Sequence, residues 1–107
     1  KPDAPEFWDA RGTLFYARGR YDAALAQFEQ ALRLRKENAR DWVNRGKTRL
    51  ALKDAPGARA DLDRAIELDP RNGEAFYHRG VALRMLGDQA RSDRDLQTAR
   101  TLGYRGQ

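Results

Sequence analysis

His78 is the single histidine of a 107-residue chain that has no cysteine. A metal site is therefore not expected, because zinc takes three or four protein ligands and cysteine or a second histidine normally supplies some of them. The acidic pair Asp61 and Asp63 stands two residues apart. On a helix such residues point to different faces and cannot share a proton or a substrate. There is no glycine-rich phosphate loop, no nucleophile–base signature and no paired-histidine helix motif. The side chains that could do chemistry thus point to polar contact, not to catalysis, and neither a cofactor nor a metal is implied.

Arginine is the other chemically prominent residue, with 17 arginines against 4 lysines and a formal net charge of +5. Three of them precede a glycine at equal spacing: Arg11–Gly12, Arg45–Gly46 and Arg79–Gly80. An arginine bordering a packed face needs a carboxylate partner, since an unpaired buried charge costs several kcal/mol, on the order of 3 to 5. Asp61 and Asp95 stand 16 residues after Arg45 and Arg79, whereas Gln27 holds that place after Arg11. Paired, structural Arg–Asp contacts are expected in the second and third units and not in the first. The remaining arginines are spread along the chain and form no basic stripe, so nucleic acid is an unfavoured partner.

These spacings belong to a repeat, which has to be recognised before anything else is read. Trp8, Trp42 and Phe76 lie 34 residues apart, and so do Gly12, Gly46 and Gly80. At the same period come Ala24, Ala58 and Ser92, then Phe28, Leu62 and Leu96, then Ala31, Ala65 and Ala99, then Leu34, Leu68 and Leu102. Within a unit, the aromatic residue, the glycine and then Phe15 or Leu83 fall at i, i+4 and i+7, one stripe of a helix. Glycine inside a helix is costly unless a second helix crosses there and takes the space. Ala24, Leu25, Phe28, Ala31 and Leu32 form the apolar face of that second helix, set off by a turn at Gly19 or Gly87. Pro70 ends one hairpin and Asn72 caps the next, with Asn38 doing the same one unit earlier. Helices are expected at 5–18, 21–34, 39–52, 55–68, 73–86 and 89–102, with no strand.

The 34-residue period, with an aromatic, a glycine and an alanine at these offsets, resembles the tetratricopeptide repeat family over nearly the whole chain. The resemblance implies an all-α fold, an α-solenoid of three antiparallel helix-turn-helix repeats at about 5–38, 39–72 and 73–106, forming a short right-handed superhelix and one domain over 1–107. It also implies a non-catalytic scaffold that holds a peptide or partner protein in a concave groove lined by the first helix of each pair. Unit two departs from the pattern: Lys36 stands in the place of Pro70, Lys53 replaces the turn glycine, and Arg49 replaces Phe15 or Leu83. It is expected to pack less regularly, with Leu50 or Leu52 rotating in.

One step of about 100° round from the packed stripe locates the groove residues. They are Glu6, Asp9, Thr13 and Tyr16 in unit one, Arg40, Val43, Asn44, Lys47 and Leu50 in unit two, and Glu74, Tyr77, His78, Val81 and Arg84 in unit three. The packed, structural set is Trp8, Gly12, Trp42, Gly46, Phe76 and Gly80, with Arg45–Asp61 and Arg79–Asp95. Asn44 can donate to and accept from a peptide backbone, and Lys47 and Arg84 favour an acidic feature on the ligand. A subset of the resembled family clamps the C-terminal carboxylates of heat-shock chaperones with Lys, Asn and Arg. Only Asn44 matches that clamp; Asp9, Thr13, Glu74 and His78 occupy its other places, and two carboxylates there argue against such a tail. Self-assembly through the end helices and nucleic-acid binding through dispersed arginines are the rival functions.

Pro2 lies two periods before Pro70, so the start reads as the tail of a preceding unit, cut from a longer array. At the other end Asp93 and Arg100 replace Leu25 and Leu32, a polar last helix suited to a terminal repeat. Leu96, Leu102 and Tyr104 are then the residual sticky surface. No apolar run approaches the roughly 18 residues of a membrane span, so the piece is read as soluble. The excess of arginine leans towards a bacterial cytoplasm, but the compartment is otherwise unassigned.

Overall fold

A computed structural model describes residues 3–106, so the expectation at Pro2 lies outside the described residues. Six helices follow one another: α1 Pro5–Ala17, α2 Tyr21–Leu34, α3 Ala39–Ala51, α4 Ala55–Leu68, α5 Gly73–Met85 and α6 Gln89–Thr101. Among the described residues there is no strand, and no helix is long and apolar enough to cross a membrane.

The starts of four helices are fixed by side-chain caps. Asn38 and Asn72 accept from the backbone N–H of Asp41 and Ala75 at 3.0 and 3.1 Å. Asp54 and Asp88, which the sequence reading did not single out, do the same for Gly57 and Arg91 at 3.0 and 3.1 Å. The first helix of each hairpin and α6 end one residue short of the expected limit. The next residue there is a cap whose N–H still donates to the carbonyl four residues back, and the one after it takes a left-handed backbone, Gly19 at φ 74° and Gly87 at φ 89°. Lys53 adopts the same conformation at φ 67° without being glycine. Its turn is held by the same two bonds, from the N–H of Lys53 to Leu50 O and from that of Asp54 to Arg49 O.

Each hairpin closes where its glycine meets the partner helix. A Cβ on Gly12 would lie 2.5 Å from the Phe28 ring, one on Gly46 2.9 Å from Leu62 Cγ, and one on Gly80 2.9 Å from Leu96 Cδ2. The alanines of the second helices, Ala24, Ala31, Ala58 and Ala65, are fully buried. Unit two keeps this arrangement, and Leu50 turns in to pack against the cluster of Val43, Leu62 and Ala75. Arg49 is not an irregularity of packing: it folds onto Asp61.

Hairpins stack by placing each first helix against the preceding second helix, α3 on α2 and α5 on α4. First helices also touch one another, α1 with α3 and α3 with α5, while α2, α4 and α6 have no mutual contacts. A stack pinched on one side and splayed on the other is curved, with α1, α3 and α5 on the inside. The result is an all-α helical-repeat solenoid measuring 43 × 24 × 22 Å.

Candidate functional site

The inner face is crossed by a chain of contacts running from one repeat to the next. The Lys47 ammonium sits 5.0 Å from the centre of the Tyr16 ring and 3.5 Å from a Glu74 carboxylate oxygen. His78 Nε2 approaches the same Glu74 oxygen at 3.5 Å. Beyond it, the Tyr77 and His78 rings meet edge to face at 5.2 Å, and Tyr104 lies 5.3 Å from Tyr77. His78 and Lys47 together hold the Glu74 carboxyl below the usual carboxylate range, against partial burial. Burial raises the Tyr16 and Tyr104 hydroxyls, with Glu74 adding to the effect, so both remain neutral donors at physiological pH.

A second network fills the junction of units one and two. Arg35, in the connection after α2, binds Asp41 through Nε and Nη2 and reaches Asp9 at 3.4 Å and Glu6 at 3.5 Å. The Asn44 side-chain amide donates to Asp9 at 2.9 Å. Asp41 has no exposed surface. Burial pushes its carboxyl up while Arg35 pulls against that.

These networks revise the groove assigned by rotation. Asp9, Val43 and Tyr77 occupy one repeat position, and it faces the next hairpin instead of the groove. Asp9 is met there by Asn44 and Arg35, and Val43 is 1% exposed beneath α5. Tyr77, in the last unit, is covered by Tyr104 and approached by Gly106. Val43 is therefore core, Leu50 is half-buried against it, and Asn44 is buried with its amide already used. Tyr104 belongs to this aromatic cluster and not to a bare end surface. The side chains left facing the groove are Thr13, Tyr16, Arg40, Lys47, Glu74, His78, Val81 and Arg84, of which Thr13, Arg40 and Arg84 are exposed. Thr13 returns its hydroxyl to the Asp9 backbone carbonyl.

Behind the groove, Arg45 grips Asp61 with two bonds of 3.0 and 2.9 Å, and Arg79 grips Asp95 with two of 2.7 and 3.0 Å. Arg45 and Arg79 also stack on Trp42 and Phe76. In unit one Arg11 has aromatic neighbours instead, Phe7 and Phe15. Arg35 and Asp41 were missed by the sequence reading, as was the pairing of Arg49 with Asp61. For Asp41 and Arg49 the signal was a charge at a position that is apolar in the other units: Asp41 aligns with Phe7 and Ala75, and Arg49 with Phe15 and Leu83.

A tetratricopeptide repeat profile matches residues 10–70 and 43–92. The chain belongs to the tetratricopeptide repeat family. Human tetratricopeptide repeat protein 36 is 34% identical over 99 residues, covering 89% of this chain and 52% of the human protein. The chain spans about half the length of the curated relatives it matches first. Among solved structures, the second tetratricopeptide domain of Spaghetti (RPAP3), bound to the HSP90 peptide SRMEEVD, superposes with a TM-score of 0.90 at 27% identity, with 94% of each chain covered. The TPR2B domain of yeast Sti1, in its pHsp70 complex, gives 0.87 at 26% identity, over 92% of this chain and 78% of that one.

Proposed function

We propose that this chain is a scaffold whose inner face holds an extended segment of a protein partner. The observation that carries the reading is the strip Tyr16–Lys47–Glu74–His78, which links all three first helices on the curved side and keeps aromatic and polar groups at its surface. The peptide-bound relatives of similar fold support it.

The ligand differs from theirs. Glu6, Asp9 and Asp41 are bound by Arg35, and Lys47 is met by Glu74, so on this face only Arg40 and Arg84 are left open to an acidic feature. Asn44, the one clamp residue present, spends its amide on Asp9. Ring contact and backbone hydrogen bonds supply the affinity instead. Selection from a random peptide library tests this. Peptides enriched on the wild type and lost from a folded Tyr16→Ala, Arg84→Ala variant support the groove; peptides retained equally by both reject it.

A second reading, self-association through α6, rests on a cleft of about 290 Å³ lined by Tyr77, Leu96, Arg100, Tyr104 and Arg105. A mass that rises with concentration supports it, and a constant mass removes it.

A further inference from the structure

On the outer side, where α4 and α6 splay apart, a cleft of about 250 Å³ opens over α5. Its walls carry Arg59, Arg79, Arg91 and Arg94 with Asp63 and Asp95, and Leu83 lies at its base. Four guanidiniums against two carboxylates leave two positive charges. Arg79 is fully engaged, held by Asp95 and by Asp63 at 3.1 Å. Arg91 has only a 3.4 Å contact with Asp88 on its own helix. Arg59 and Arg94 have no ion pair among the described residues.

Packing does not require these arginines. At the preceding junction the positions of Arg59, Arg91 and Arg94 are held by Leu25, Gly57 and Ala60, while the Arg–Asp pair behind them is kept. The three side chains therefore serve this one cleft, and guanidiniums lining one cleft suit a tetrahedral anion that accepts several paired hydrogen bonds. A phosphomonoester carries about −1.5 to −2 at neutral pH, which matches the surplus.

We propose that this cleft binds a phosphoryl group on a phosphorylated peptide segment, independently of the inner groove. A peptide fits better than a nucleic acid. The charge is gathered at one point instead of along a stripe.

The test is NMR of the arginine Nε–H groups in the ¹⁵N-labelled chain. It is titrated with a degenerate phosphoserine peptide library, the same library unphosphorylated, inorganic phosphate, and polyuridylic acid. The expected result is saturable shifts at Arg59, Arg91 and Arg94 with the phosphorylated library alone among the peptides, at least tenfold tighter than with inorganic phosphate. An Arg59→Gln, Arg94→Gln variant, in which no ion pair is removed, should lose that binding and keep its melting temperature. No shift at these groups, equal binding of free phosphate, tighter binding of polyuridylic acid, or shifts that survive in the double variant would each overturn the proposal.

Discussion

Asp61 is 2% exposed and lies between two guanidiniums, Arg45 at 2.9 Å and Arg49 at 3.1 Å. Burial raises its carboxyl and the two arginines oppose this. Removing the carboxylate strands two positive charges at once. Asp61→Ala should cost about 3 kcal/mol in urea unfolding, the low end for a broken buried pair because both arginines keep an edge in water. Asp93→Ala, on the exposed side of α6, should cost less than about 0.5 kcal/mol. Glu74 gives the pH dependence. Its folded pKa lies below the ordinary 4.5 because His78 and Lys47 stabilise the charged form. Its contribution to stability is thus complete above that value and is lost as pH falls through the depressed pKa. Glu74→Gln should flatten the fall in stability as the pH drops below the ordinary 4.5, read from unfolding midpoints; an unchanged slope would contradict the assigned partners.

The elements are joined by turns of one geometry, and one of those turns has the wrong residue for it. Lys53 holds φ 67° where its counterparts are Gly19 and Gly87, and a side chain in that region costs about 1 kcal/mol. Lys53→Gly should therefore raise stability by about 1 kcal/mol and the melting temperature by about 4 °C, measured by circular dichroism. The opposite change, Gly46→Ala, puts a Cβ 2.9 Å from Leu62 and 3.4 Å from the Ala58 carbonyl, and should cost about 1 to 3 kcal/mol by overpacking. Helix order and limits were legible in the sequence because they rest on local chemistry: the 34-residue period, the Asn38 and Asn72 caps, the Pro70 stop. The rotation that picked out Val43 as a groove residue was not adequate. Whether that position is covered depends on the hairpin that follows it, which is a non-local fact. Arg35 binding back to Asp9 and Glu6 was hidden for the same reason.

At the scale of the whole molecule, the stack is pinched along α1, α3 and α5 and open along α2, α4 and α6. Two surfaces result: an inner face where half-buried rings lie beside Arg40, Lys47, Glu74 and Arg84, and an outer cleft with surplus arginine. The peptide SRMEEVD, held by the Spaghetti domain, should show no saturable binding here by titration calorimetry, since Glu74 stands where a carboxylate clamp needs a cation and Asn44 is already bonded to Asp9. The most direct test of the account is a backbone NMR shift map recorded with a library-selected peptide. It should show saturating shifts along α1, α3 and α5, centred on Tyr16, Lys47 and His78. Shifts confined to α2, α4 and α6 would contradict it.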